Sequence, residues 1–199
     1  MGCISELPYT LYLVASYFFF WGVYVGFYYV GSYGRDILGT SQSTSINLLL
    51  IMNGVGLVAR VVPNFVAEKW TGPLNLIIPY TAVTGLLLFC WAGVKSETGL
   101  WAWAVVYGVV ASGIHALFPV VLTSLTDDAK KLGVRSGMGF SVVGYAVLTG
   151  PPIAGALVQR MDGSYLGLQM FSAATMIIAV LFLLAARWAK VGTKLGVKL

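Results

Sequence analysis

Charged side chains are scarce in this sequence. There are 12 Lys+Arg and 7 Asp+Glu among 199 residues, or 10%, where a water-soluble domain carries about 25%. With 58% apolar residues and a mean hydropathy of +0.85, a soluble globule is excluded. Cysteine occurs twice and histidine once. Cys3 and Cys90 are expected to be free thiols, and one histidine with two separated cysteines cannot build a metal site. Gly-x-x-x-x-Gly-Lys, His-Glu-x-x-His and Cys-x-x-Cys are all missing, so no cofactor or metal is expected. No basic leader with a cleavage site precedes the first apolar run, which is expected to be retained. An acylation pattern at Gly2-Cys3 fails because Glu6 stands where Ser or Thr is needed.

Long uncharged runs are what the sequence has instead. They cover residues 7–34, 37–59, 70–94, 98–126, 136–159 and 163–186, each longer than the ~18–20 residues that cross a bilayer as a helix. Hydrocarbon cannot satisfy exposed backbone groups, so spans are helices or closed barrels. The alternating segments of about 10 residues that a barrel needs are not present. The expected fold is therefore an all-α integral membrane bundle of six transmembrane helices. Its spans are placed near 9–33, 44–66, 74–94, 100–122, 137–158 and 165–188. A cytosolic leader (1–8) and a basic cytosolic tail (189–199) flank them. No room remains for a soluble catalytic domain or a nucleic-acid module.

Six spans put both termini on one side. That side collects Lys69, Lys130, Lys131, Arg135, Arg187, Lys190, Lys194 and Lys198, against Arg35, Lys95 and Arg160 opposite. The excess places both termini in the cytoplasm, in the plasma membrane or an organelle membrane. Trp70, Trp91, Trp101 and Trp188 fall near span ends, as interfacial anchors do.

The twelfth basic residue, Arg60, lies inside the second span, where a guanidinium is costly unless it meets water or an anion. Asn53, Gly56, Arg60 and Asn64 recur at i, i+3, i+7 and i+11, one polar stripe. The stripe faces an aqueous cavity, or Arg60 snorkels to the cytoplasm and pairs with a carbonyl. His115, with Ser112 and Pro119 on its face, also has two readings. It relays protons, or it is neutral and bonded to a hydroxyl of a neighbouring helix. Tyr17, Trp21, Tyr24 and Tyr28 form an aromatic row that stacks on a flat ligand or packs the core. Gly22 and Gly26 allow close helix approach.

The fifth span ends Leu148-Thr149-Gly150-Pro151-Pro152-Ile153-Ala154-Gly155. Two missing donors predict a kink or break there, and interrupted helices mark moving elements in transporters. Glu6, Asp36, Glu68, Glu97, Asp127, Asp128 and Asp162 all lie at ends or in loops. The spans thus hold neither a carboxylate relay nor an acid–base pair for an enzyme.

At Asn53-Gly54-Val55-Gly56-Leu57-Val58-Ala59-Arg60-Val61-Val62-Pro63-Asn64, followed by Glu68-Lys69-Trp70-Thr71-Gly72-Pro73, the chain resembles the segment joining the eighth and ninth helices of major facilitator superfamily transporters. The likeness is to the fungal, riboflavin-permease-like branch of the monocarboxylate porter family. It continues through Gly31–Asp36, Ser124–Asp127, Gly133–Met138 and Leu148–Leu157. It implies twelve helices in two halves, with this chain similar to the C-terminal six. It further implies that Arg60 contacts an anionic substrate. Animal relatives place an aspartate four residues earlier, where this chain has Gly56, so the resemblance brings no carboxylate for proton coupling. The segment from Gly56 to Gly72 resembles the second copy of a cytoplasmic gating motif, with Glu68 and Lys69 as its charged loop.

Two kinds of function are then expected. In the first, the chain is half of a secondary transporter for a small organic solute, monocarboxylate-like or riboflavin-like. Arg60, Asn53, Asn64, His115 and Tyr24 line the cavity, and Gly56, Glu68, Lys69, Gly150, Pro151 and Pro152 serve gating. Its partners are the lipid bilayer, the solute, and a separate N-terminal six-helix half or a second copy. In the second, it is a truncated, non-transporting membrane protein acting as an interaction partner. The features that separate these are Arg60 and the fate of its stripe.

Overall fold

The computed structural model describes residues 6–126 and 128–192. Cys3, Asp127, Lys194, Lys198 and most of the expected leader and tail lie outside them. The described residues form six helices long and apolar enough to cross a membrane. The protein is an all-α integral membrane bundle.

Local chemistry sets the helix ends. Helix α1 (Leu7–Leu38) starts with Pro8 in its first turn and stops at Gly39, whose φ of 67° is the left-handed cap that glycine supplies. Helix α2 (Gln42–Ala59) begins where the Ser41 hydroxyl accepts the Thr44 amide at 3.1 Å. A single turn residue, Arg60, joins α2 to α3 (Val61–Val66), which runs into a wide π turn at Ala67–Thr71. Together they make the second span. Gly72, at φ 82°, reverses the chain into α4 (Pro73–Trp91). Helix α5 (Glu97–Ser124) is capped by Ser96, which accepts the Gly99 amide at 3.2 Å. A short 3-10 turn (Ala129–Lys131) leads to α6 (Leu132–Arg160), and α7 (Leu166–Val191) closes the chain.

Packing is uneven. Within their most apolar stretches, α5 is 56% buried and α1 50%, whereas α2 is 22% and α6 17%. Helix α1 packs against α7, α6 and α2, and α5 against α2 and α4. The glycines of α1 explain its central place. A Cβ at Gly22 would lie 2.7 Å from Met176 Cγ of α7, and one at Gly26 would overlap the Tyr107 ring of α5.

Three expectations are corrected. Arg135 is not in a loop: it lies within α6 and is 1% exposed. Its Nη2 pairs with Glu6 Oε1 at 2.9 Å, Nη1 donates to the Leu125 carbonyl at 3.1 Å, and its guanidinium lies 4.6 Å from the Tyr9 ring centroid. Tyr9 in turn donates its hydroxyl to the Arg135 carbonyl at 2.8 Å. Such a buried guanidinium is tolerated because a carboxylate answers its charge and both terminal nitrogens meet an oxygen, although Nε has no acceptor among the described residues.

Trp91 is not an interfacial anchor. It is fully buried, stacked on Trp103 at 4.9 Å and edge-on to Tyr33 at 5.4 Å. The large rings of α1 and α5 give it a better-packed site than the headgroup region. Trp70 and Trp188 are exposed.

The third correction concerns α6, which runs through Pro151 and Pro152 without a break. Proline removes one ladder bond per residue but keeps a helical φ. Neighbours hold the backbone here: the Tyr29 hydroxyl donates to the Pro151 carbonyl at 2.8 Å, and Trp21 Nε1 donates to Thr149 Oγ1 at 2.9 Å. Cys90 is a free, exposed thiol on α4.

Candidate functional site

The polar residues of α2 meet the aromatic row of α1 and the histidine of α5 in one place. Tyr24, Phe27, Tyr28, Leu49, Asn53, Arg60 and His115 line a cavity of about 360 Å³. Four of the five expected solute-contacting residues, Arg60, Asn53, His115 and Tyr24, are thus brought together. Each comes from a different local cause. Arg60 stands at the joint between α2 and α3, its amide still bonded to the Gly56 carbonyl at 3.1 Å, so the helix carries its side chain on the Asn53 face. Gly56 is buried under α5, where a Cβ would overlap Ser112 Oγ. That close approach brings α2 and its arginine to the His115 face of α5.

Asn64 is not among the lining residues. It shares the stripe, but eleven residues along a helix place it about 16 Å from Asn53, below the cavity. Its Oδ1 is buried without a hydrogen-bond partner.

The electrostatics are simple. Arg60 is exposed to the cavity, and among the described residues its guanidinium makes neither ion pair nor hydrogen bond. Among the described residues no carboxylate lines the cavity. Asn53 Nδ2 donates to the Leu49 carbonyl of its own helix at 2.8 Å, leaving the amide oxygen for another donor. His115 Nδ1 lies 3.0 Å from the Ala111 carbonyl. A carbonyl only accepts, so Nδ1 holds the proton and Nε2 is left to face a partner. The histidine therefore bonds its own helix rather than a neighbour's hydroxyl. Its ring is surrounded edge-on by Phe20 and Tyr24, each at 5.5 Å, and Phe27 at 6.0 Å. This is a cationic, aromatic-walled recess that can hold a planar or acidic organic molecule.

The aromatic row of α1 divides its labour. Tyr24 and Tyr28 line the cavity, whereas Tyr17 shares a hydrogen bond with Thr149 at 3.3 Å and Trp21 donates to the same hydroxyl. Phe27 and Leu49 were missed as lining residues. Phe20, Tyr24 and Phe27 stand at i, i+4 and i+7, and Leu49 sits one turn before Asn53, so helical spacing carried the signal.

The expected gating residues do not lie together: Gly56 is against α5, Gly150 against α1, and only Glu68 and Lys69 are at a span end. Glu68 and Lys69 are exposed in the π turn, and the Lys69 ammonium lies 5.4 Å from the Phe65 ring and 5.7 Å from the Trp70 ring of its own span. Gly150 abuts Trp21, where a Cβ would lie 2.9 Å from Cδ1. Pro151 and Pro152 lie just beyond it in α6. Among the described residues no cluster of metal-binding side chains occurs.

Fold and site together define a membrane-spanning helical bundle with a polar recess inside it. The sequence is 40% identical to an MFS-type transporter of Gibberella zeae over 185 residues, 92% of this chain and 42% of the relative. It is 32% identical to the MFS-type transporter dbaD of Emericella nidulans, covering 89% of this chain and 40% of that protein. It is also 31% identical to the aspyridones efflux protein apdF of the same organism, covering 88% and 36%. No protein-family model matches the sequence. Over the matched residues the chain is homologous to transporters of the major facilitator superfamily, transport proteins rather than enzymes. It spans about two fifths of the length of the curated relatives it matches.

Proposed function

We propose that this chain supplies the C-terminal half of a secondary transporter that moves a small acidic organic solute by alternating access. The observation that carries the reading is the unpaired Arg60 guanidinium in an aromatic recess with no lining carboxylate. Arg60 anchors the solute's negative group, Asn53 and His115 Nε2 give orientation, and Tyr24, Phe27 and Tyr28 contact its apolar body. Asn64 sits deeper on the exit path. The acidic solute is monocarboxylate-like, in the manner of the fungal monocarboxylate porters; the alternative is a riboflavin-like solute, uncharged at neutral pH, which the aromatic wall would hold by stacking. The relative named for aspyridones efflux supports export of an organic product.

The same reading needs a second bundle. Helices α2 and α6 leave most of their apolar stretches uncovered, and a site at the midplane of such a transporter is shared between halves. An N-terminal six-helix half, or a second copy, covers those faces. Glu68 and Lys69 latch the cytoplasmic ends of the halves, Gly56 permits α2 to slide on α5, and Gly150 with Pro151 and Pro152 flexes α6. Both termini lie in the cytoplasm, in the plasma membrane or an organelle membrane.

The test is uptake into proteoliposomes holding this chain assembled with its N-terminal half. A panel of aromatic carboxylates is compared with their methyl esters. Arg60→Ala is expected to cut carboxylate transport about tenfold or more, as loss of a charge-assisted contact worth ~1.5–3 kcal/mol requires. Ester transport should be little altered. Equal carboxylate transport by wild type and variant would refute the anchoring role.

A further inference from the structure

A second recess lies away from the Arg60 cavity, at the end of the bundle opposite the described start and finish of the chain. Tyr33 and Ile37 of α1, Ala92 and Lys95 after α4, and Ser164, Tyr165, Leu166 and Gln169 around the start of α7 enclose about 230 Å³. Among the described residues two of its donors have no partner, Lys95 and Gln169 Nε2, whereas the Tyr33 and Tyr165 hydroxyls have given their protons to the Val94 carbonyl and to Asp36. Lys95 is exposed and makes no ion pair among the described residues. Gln169 is only 3% exposed, yet its Nε2 has no hydrogen-bond partner. A buried amide without a partner costs ~1–3 kcal/mol, so its presence on a recess wall points to an acceptor that comes from outside. The first turn of the 26-residue helix α7 stands on the same wall and brings the positive end of its dipole; the Leu166 amide there is already answered by Ser164 Oγ at 3.4 Å and the Gln169 amide by the Tyr165 carbonyl at 3.0 Å. Asp36 stands on the same rim, but its Oδ2 is engaged by the Tyr165 hydroxyl at 2.6 Å.

A separate, apolar recess lies further along the same helices. On the seam between α4 and α7, Thr81, Ala82, Gly85, Leu86, Phe89, Met176, Ile177 and Val180 enclose another 230 Å³. Phe89 is three residues from Ala92, and Met176 seven from Gln169, so the two spaces are separated by about 5–10 Å along the helices. Leu86 and Ile177 beside the groove are exposed, as are Val83 and Leu181, so this face of a membrane-spanning bundle looks into hydrocarbon.

The geometry points to a phospholipid site on the α4–α7 seam. The headgroup phosphate is held by Lys95 and Gln169 Nε2 beside the positive end of the α7 dipole, and one acyl chain lies along Ala82, Gly85 and Phe89. A donor-lined recess at the end of the helices directly above an apolar groove within them matches the phosphate-then-chain order of a glycerophospholipid. A free anion would use the upper recess alone.

Native mass spectrometry of the purified full chain, stripped of lipid in detergent, tests this. It is titrated with dioleoylphosphatidylcholine, with dioleoylglycerol and with inorganic phosphate. The phospholipid is expected to bind about tenfold more tightly than the diacylglycerol. Lys95→Ala combined with Gln169→Leu should remove that preference, and Ala82→Phe should weaken both lipids. Lys95→Ala alone, at an exposed side chain, keeps the test sound if a buried variant does not fold. Equal binding of the two lipids would overturn the assignment, as would a preference that survives both polar substitutions. Inorganic phosphate that binds as tightly as the phospholipid would mean a free-anion site and would overturn it too. None of these outcomes involves solute transport, so the site stands or falls separately from the Arg60 reading.

Discussion

Arg60 and Arg135 are both arginines carried by apolar helical spans, and the protein surrounds them in opposite ways. Arg135 is 1% exposed and held by Glu6, the Leu125 carbonyl and the Tyr9 ring. It ties the first turns of α1 and α6 to the end of α5. Arg60 faces an open cavity with aromatic edges nearby and makes no ion pair or hydrogen bond among the described residues. A buried ion pair is a fastening, because breaking it strands a charge. A cation left unanswered in a recess is an available binding group. On the proposed function, the same side chain serves structure at one end of the bundle and ligand chemistry in the α1–α2–α5 recess.

The largest expected effect is at the fastening. Arg135→Met should lower unfolding stability in detergent by about 3 kcal/mol, since the Glu6 carboxylate and Leu125 carbonyl both lose their partner. Thermal unfolding followed by circular dichroism reads this, and a loss below about 0.5 kcal/mol would remove the contrast. Next comes the helix contact that positions Arg60. Gly56→Val forces Ser112 aside and should cost about 2 kcal/mol. Gly54→Ala, on the same helix with open space around it, should gain up to about 1 kcal/mol. A similar cost for both would mean that α2 does not rest on Ser112.

Glu6→Gln should cost only about 1 kcal/mol, because that carboxylate is 44% exposed and water replaces part of the pairing. Combined with Arg135→Met, it should show a coupling of about 1 kcal/mol or more in a double-mutant cycle. The smallest effect is at Arg60. Arg60→Ala should leave unfolding within about 0.5 kcal/mol of wild type, because no intramolecular partner is lost. Destabilisation equal to that of Arg135→Met would collapse the distinction between the two residues.

Much of the site could be read along single helices. Asn53 and Arg60 share a face by spacing, and so do Phe20, Tyr24 and Phe27. What spacing could not reveal was depth: Asn64 keeps the same angle as Asn53, yet lies too far down the axis to reach the cavity. Nor could it reveal partners. Arg135 read as a loop charge because it sits beside Lys130 and Lys131, and only the approach of Glu6, 129 positions earlier, lets α6 begin before it. Trp91 read as an anchor from its place near a span end, whereas its burial depends on Trp103 and Tyr33 from two other helices.

The sequence by itself determined that the chain crosses a membrane as six helices. Uncharged length and the absence of internal acids are one-dimensional properties; hydrocarbon admits only helices or closed barrels, and uninterrupted apolar runs of this length fit helices. The tertiary structure decided which charges are buried, which aromatic rings hold helices together and which line a recess. Helical periodicity defines a face, but only packing between distant segments decides what covers that face.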